Sequence, residues 1–161
     1  MMPSLVRPRR WLTPVAVIAV HATSVMAQQP AATGGVVTVT SSASFDSTLA
    51  RLERAITAKG LTIAARVDHA AAAKKANLTL RPTTLVIAGN PAAGTPLMLA
   101  DQTMGAELPL RFLVWAGEDG RARVSYDPIR AIAARHALTG RDELLTRMTA
   151  AIDAIVKDAT K

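Results

Sequence analysis

His69 is the side chain whose position most suggests a chemical role. Asp68 has the properties of a helix N-cap, so His69 would lie in the first helical turn. The positive end of the helix dipole favours the neutral imidazole there, which can accept a proton or bind a metal ion. The commoner situation is a half-buried histidine with only a hydrogen-bonding role. His69 is therefore a candidate for binding, with a structural role as the alternative.

The segment from Gly89 to Thr95 has the glycine spacing of a phosphate-binding loop, but the lysine that should follow the second glycine is absent. Nucleoside triphosphates would lack their main counter-charge. A simpler anion site is the weaker hypothesis. Thr95 is the predicted N-cap and Pro96 the first residue of a short helix. The backbone N–H groups of Gly94, Thr95 and Leu97 at this helix start would bind a carboxylate or phosphate. A turn that needs these residues only for backbone geometry is the commoner explanation.

Metal and catalytic chemistry have weaker support. Thioether and imidazole groups suit Cu(I), but the soft ligands are scattered without a ligand motif, so no metal site and no cofactor are predicted. The absence of cysteine and of a G-x-S-x-G sequence disfavours a nucleophilic enzyme, and the carboxylates are more simply a cap and turn residues. The soft ligands are Met98, Met104, His69 and His136, and the carboxylates are Asp68, Asp101 and Glu107.

The leading interpretation is a non-enzymatic domain that binds a small ligand or a protein partner. An enzyme that uses His69 as acid or base, and a purely structural homodimer, are the alternatives. A concave site that unites His69, Asn90, Thr95 and Arg135 would favour binding or catalysis over the structural role. The predicted ligand-binding residues are Asp68, His69, Asn90, Gly94, Thr95 and Arg135, with no catalytic residue assigned.

Residues 1–27 have the architecture of a secretory signal peptide. Basic residues precede an apolar run from Trp11 to Ala27, and the small residues Val25 and Ala27 stand just before a polar segment. We expect cleavage after Ala27, and therefore a periplasmic or secreted bacterial protein. An uncleaved membrane anchor is the alternative, which the polar residues within the run disfavour. The basic residues are Arg7, Arg9 and Arg10, and the polar ones are His21, Thr23 and Ser24.

The remaining chain is long enough for one domain with a hydrophobic core. We expect a flexible lead-in over residues 28–35 and a single α/β domain over 36–161. Three of the nineteen basic residues and none of the twelve acidic ones lie in the signal segment, which leaves a net charge of +4. Dispersed cations with few aromatic residues argue against a nucleic-acid partner, and no later apolar stretch is long enough to span a membrane.

Hydrophobic periodicity predicts the order β-α-β-α-β-β-β-α, with two short helical segments late in the chain. This order predicts an α+β fold, with a curved, mostly antiparallel sheet and helices packed on one face. Strands are predicted at 36–40, 61–67, 83–88, 110–116 and 121–127; helices at 44–60, 68–77, 95–101, 128–136 and 141–158. Ser44 is the predicted N-cap of the first helix. The residues predicted to face inward are Phe45, Leu49, Leu52 and Ile56 on the first helix and Leu144, Met148, Ile152 and Ile155 on the last.

The predicted hairpin turns at Asp119-Gly120. A two-residue turn pairs Trp115 with Val124, and it places Phe112 on the opposite face of the sheet. If helices cover only one face, Phe112 needs an apolar partner, which predicts a symmetric homodimer that buries it. A loop of different length would instead place Phe112 in the core.

Short segments between Thr38 and Leu138 form a distinctive combination: Ser44-Phe45, Asp68-His69, Leu80-Arg81-Pro82-Thr83, Gly89-Asn90-Pro91, Gly94-Thr95-Pro96-Leu97-Met98, Leu108-Pro109-Leu110 and Arg135-His136. Through these segments the chain resembles the domain-of-unknown-function 302 (DUF302) family. The resemblance implies a small domain with a curved antiparallel sheet similar to the TATA-binding-protein fold, often a homodimer, and no established activity. The sequence departs from the family in its export signal and in Ala88, where the family usually has an aromatic residue.

Overall fold

The computed structural model describes residues 35–161. The predicted signal peptide, its cleavage site and nearly all of the predicted lead-in lie outside these residues. The strands are β1 (Val37–Thr40), β2 (Thr62–Asp68), β3 (Thr83–Gly89), β4 (Leu110–Ala116) and β5 (Ala122–Tyr126). The helices are α1 (Phe45–Ala58), α2 (His69–Lys75), α3 (Pro91–Ala100), α4 (Ile129–Arg135) and α5 (Asp142–Thr160), with a 3-10 helix at Gln102–Ala106.

The five strands form one sheet in the order β1-β5-β4-β3-β2, and every neighbouring pair is antiparallel. Helices α1 and α5 pack against each other and against one face of this sheet. The predicted α+β class with a mostly antiparallel sheet is confirmed.

One hydrophobic core lies between the sheet and these helices. The side chains of Val86, Val114 and Val124, on three adjacent strands, are fully buried against it. Most of the residues predicted to face inward on α1 and α5 are buried, since an amphipathic helix buries the stripe that repeats every three to four residues. The buried ones are Leu49, Leu52, Ile56, Ile152 and Ile155, whereas Phe45, Leu144 and Met148 are half-buried.

Side-chain caps begin two helices where the sequence predicts them. The Ser44 hydroxyl accepts a hydrogen bond from the Ser47 N–H at 3.3 Å, at the start of α1. The Asp68 carboxylate accepts one from the Ala71 N–H at 2.8 Å, at the start of α2. Both caps satisfy backbone donors that a helix leaves unpaired in its first turn.

The predicted register of the β4–β5 hairpin is wrong by one residue. The Gly117 N–H donates to the Arg121 carbonyl at 2.9 Å, so the loop has three residues rather than two, and Gly120 adopts a φ of 74°. A three-residue hairpin loop that ends in a left-handed glycine is a common alternative to the two-residue turn. The change pairs Val114 with Val124 and turns Phe112 toward the helices, where it is 1% exposed. The predicted dimer interface at Phe112 is therefore excluded.

The other face of the sheet carries apolar side chains that do not join the core. Leu85 on β3 pairs with Leu113 on β4, and both are half-buried. Nearby, the Trp115 ring is partly covered by the guanidinium of Arg123, whose central carbon lies 5.1 Å from the ring centroid. The Trp115 indole N–H donates to Ser125 Oγ at 2.9 Å.

The predicted helix start, with Thr95 as N-cap and Pro96 as first helical residue, is wrong as well, because helix α3 begins at Pro91. The Asn90 side chain accepts from the Ala92 N–H at 2.9 Å, Pro91 is the first helical residue, and Pro96 lies inside the helix. Both Asn90-Pro91 and Thr95-Pro96 have the local pattern of a cap followed by an N1 proline. The structure uses the first of these patterns.

Candidate functional site

The six predicted ligand-binding residues lie in three different places. Asp68 and His69 are at the exposed start of α2, and Arg135 is at the end of α4. Only Asn90, Gly94 and Thr95 line one cavity. The expected concave site that unites these residues with His69 and Arg135 therefore does not form.

The expected backbone cradle for an anion at Gly94 does not form either. The Gly94 N–H donates to the Asn90 carbonyl at 2.9 Å, and Thr95 and Leu97 lie inside α3. Helical N–H groups beyond the first turn are paired within the helix. The Asn90 amide Nδ2 donates to the Gly60 carbonyl at 3.1 Å, so this residue joins the start of α3 to the turn between α1 and β2.

A cavity of about 780 Å³ lies between α3, α5 and the turn that precedes β2. Its volume is within the range of roughly 300–1,000 Å³ that is typical of small-molecule sites. Gly89 lines it at a point of close backbone approach, because a Cβ atom at this position would lie 3.1 Å from the Pro109 Cβ. The buried lining side chains are Leu110, Ile152 and Ile155, and the half-buried ones include Leu61, Met98, Leu108, Leu144 and Met148.

The polar part of the cavity lining is cationic or neutral. Lys59 follows α1 and Arg147 lies on α5, and both are exposed. Among the lining residues in the described part of the chain there is no aspartate or glutamate. The neutral polar side chains of the lining are Thr62, Asn90 and Thr95.

Arg135 belongs to a separate cluster of ionised side chains. Its guanidinium donates to both carboxylate oxygens of Glu107, from Nε at 3.3 Å and from Nη2 at 3.1 Å. Its Nη2 also lies 3.6 Å from a carboxylate oxygen of Asp127. The hydrogen bond from Arg135 is the main reason that the pKa of Glu107 lies below its usual value. Arg135 is therefore engaged with carboxylates and does not line the cavity.

His136 extends this cluster from the end of α4 to the 3-10 helix. Its Nδ1 lies 2.8 Å from Thr103 Oγ1 and 3.2 Å from an oxygen of Asp101. Hydrogen bonds from the Thr103 side chain and backbone lower the pKa of Asp101, and His136 adds to the effect. Within residues 35–161, no three histidine, aspartate or glutamate side chains are grouped so that they could hold a metal ion.

Sequence reasoning missed most of the cavity lining. The sequence predicts that Leu144 and Met148 face the core as part of the apolar stripe of α5. In the structure both side chains are only half-buried, because they line the cavity. Lys59 and Arg147 had no local signal, because a cation at a helix end or on an exposed helix face is common without any ligand.

The chain shares a segment with longer proteins from Brucella. It is 40% identical over 104 residues to "Fluoride-specific ion channel FluC 1" of Brucella suis and to "Fluoride-specific ion channel FluC 2" of Brucella melitensis. The match covers 65% of this chain but only 41% and 38% of those proteins, so the chain spans about two fifths of the length of the curated relatives it matches. None of the helices in the described residues is long and apolar enough to cross a membrane.

The fold of this domain is similar to that of a protein of known structure. The crystal structure of uncharacterized conserved protein DUF302 from Bacillus stearothermophilus superposes with a TM-score of 0.70 at 16% identity, covering 78% of this chain and 98% of that one. The model of the family described as Domain of unknown function DUF302 matches residues 37–155, almost the whole of the described domain. The chain therefore belongs to the DUF302 family.

Proposed function

We propose that this domain is a non-enzymatic binding module that holds a small, largely apolar ligand in the cavity between α3 and α5. The observation that carries the proposal is the set of half-buried apolar side chains around about 780 Å³ of unfilled space. Apolar side chains that face such a space lack van der Waals partners, and a ligand of matching shape would supply them. The same side chains leave water with few hydrogen-bonding groups inside the cavity.

Binding is better supported than catalysis because the reactive side chains lie outside the cavity. His69 is exposed at the start of α2, and His136 is held by Thr103 and Asp101. An enzyme that used either residue as acid or base would need its substrate bound elsewhere. The Brucella relatives contain the matching segment as about two fifths of their length, which is consistent with a module rather than with a complete channel.

A neutral, environment-sensitive fluorescent dye tests the proposal. We expect saturable binding to the wild-type protein and a loss of about tenfold or more in the Ala151→Phe variant, whose new ring would occupy the cavity. Ala150→Phe is the matched control, because Ala150 is the exposed neighbour on the same helix and does not line the cavity. Equal dye binding by both variants and the wild type would exclude the cavity as the site.

We also propose that the protein is exported and acts in the periplasm or outside the cell. The support is the sequence pattern of residues 1–27, which lie outside the described residues. Intact-mass measurement of the protein from a bacterial host should give a chain that begins at Gln28. A chain that retains residues 1–27 in the membrane fraction would contradict export with cleavage.

A homodimer is a further proposal, now based on the open face of the sheet. The half-buried pair Leu85 and Leu113 lies outside the core on this face, and the family resemblance implies dimers. Sedimentation equilibrium should show a dimer for the wild type and a folded monomer for Leu113→Asp. A wild-type monomer would exclude the dimer.

A further inference from the structure

We propose that the cavity ligand is an amphiphile with an anionic head group. This proposal rests on the proposed function, in which the cavity is the binding site. In this arrangement the apolar part lies against side chains such as Leu108, Leu144 and Met148, and the head group lies at the rim beside Lys59 and Arg147.

The charge of the rim carries this assignment. Two elements that are distant in sequence, the end of α1 and the first half of α5, each contribute one cation to the lining. The carboxylate nearest to Arg147 is that of Glu143, one helical turn earlier, which does not line the cavity. An anion at the rim would therefore meet two positive charges and no negative charge from the lining.

Arg147 is available for a ligand because its ion pair is weak. Its Nη1 lies 3.8 Å from Glu143 Oε2, and the two side chains are 65% and 94% exposed. Ion pairs that are this exposed contribute little, because water screens them and both side chains lose rotamer freedom when they pair. The guanidinium also has five N–H donors, more than one carboxylate can use.

The apolar walls of the cavity disfavour small inorganic anions, which have no apolar part. Ile152 and Ile155 are buried at the cavity, with Leu61 and Met98 half-buried around them. A bare phosphate that moved past the rim to these side chains would lose its hydration, and apolar groups offer no hydrogen-bond donors to replace it. An alkyl carboxylate and an alkyl phosphate both combine a buried chain with a charge that stays near the rim.

Four ligands with the same decyl chain separate the contribution of the head group from that of the chain: undecanoate, decyl phosphate, decanol and decyltrimethylammonium. Binding is measured by displacement of the neutral dye. We expect the preferred anion to bind about tenfold more tightly than decanol, and the cation to bind most weakly, because two rim charges act on the head group. The stronger of the two anions identifies the head group as carboxylate or phosphate. Inorganic phosphate should not displace the dye.

The double variant Lys59→Glu/Arg147→Glu should lose the preference for the anions and should bind decyltrimethylammonium better than either anion. Lys157→Glu is the control, because Lys157 is exposed on α5 and does not line the cavity. It should keep the wild-type order of ligands. Circular dichroism spectra and thermal unfolding of each variant verify that it is folded.

Three results would overturn the assignment. Equal affinity of the wild type for decanol and both anions would reject the anionic head group while leaving the cavity as an apolar site. An anion preference that survives in the double variant would place the recognition elsewhere. Dye binding that weakens as protein concentration rises would mean that a second copy of the chain fills the cavity. If neither dye nor ligand distinguishes Ala151→Phe from wild type, the proposed function itself fails.

Discussion

The guanidinium of Arg135 is hydrogen-bonded to both carboxylate oxygens of Glu107 at 3.1–3.3 Å. The two residues are 28 positions apart in the sequence, and the bond ties the end of α4 to the segment between the 3-10 helix and β4. Arg111 also lies 3.2 Å from Glu107. The side chain of Glu107 is only 19% exposed, so this ion pair is better shielded from water than a typical surface pair.

This cluster makes the stability of the domain sensitive to acid. Because the folded state lowers the pKa values of Glu107 and Asp101, their contributions are fully present above the unfolded pKa values and are lost as the pH falls through the folded ones. We expect the melting temperature to decrease below about pH 4. Glu107→Gln should be less stable than wild type at neutral pH, and this difference should shrink in acid.

Calorimetry across this pH range makes the comparison. Glu143→Gln is the control, because the ion pair of Glu143 with Arg147 is exposed, and the substitution should change stability by less than about 0.5 kcal/mol. A difference between Glu107→Gln and wild type that stays constant with pH would contradict the assigned role of the carboxylate.

The hairpin register predicts that substitutions at two neighbouring residues on β4 destabilise the domain to different extents. Phe112→Ala should lower the free energy of unfolding by about 3–5 kcal/mol, because the ring is fully buried among the core residues. Leu113→Ala should cost clearly less, because Leu113 is half-buried on the other face. Denaturant unfolding of both variants, at protein concentrations low enough for the chain to be monomeric, measures the difference. A larger cost at Leu113 would support the two-residue turn instead.

His69 should matter little for stability or for binding in the cavity. Its side chain is exposed at the start of α2 and does not line the cavity. We expect His69→Ala to change the free energy of unfolding by less than about 1 kcal/mol and to leave the affinity for the fluorescent dye unchanged. A loss of dye affinity in a normally folded variant would show that His69 contributes to the site after all.

Asn90 has two separable roles, one for each end of its amide. The oxygen caps α3 through the Ala92 N–H, and the nitrogen donates to the Gly60 carbonyl. Asn90→Ala removes both contacts and should cost about 1–2 kcal/mol of unfolding free energy. Asn90→Asp retains the cap and loses the donor, so it should recover part of this loss. If thermal unfolding shows Asp to be as harmful as Ala, the cap is not the important contact.

The elements that the sequence predicted correctly are those whose signals are local. The continuous apolar run of residues 83–88 identifies β3, and the three-to-four-residue spacing on α1 identifies that helix and its buried face, while Ser44 and Asp68 mark the starts of α1 and α2. Each signal acts within a few residues, because capping and amphipathicity depend on neighbours in the same segment.

Tertiary structure determined two kinds of feature: those for which the local sequence allows two conformations of similar energy, and those that depend on contacts between residues distant in the sequence. Loops of two and three residues around Asp119-Gly120 are both acceptable locally, and only the packing of Phe112 against the helices selects one. Likewise, nothing near Arg135 in the sequence indicates that its partner is Glu107 rather than the start of α3. The cavity depends on how α3 and α5 are placed, and hydrophobic periodicity states which face of a helix is apolar but not what it contacts.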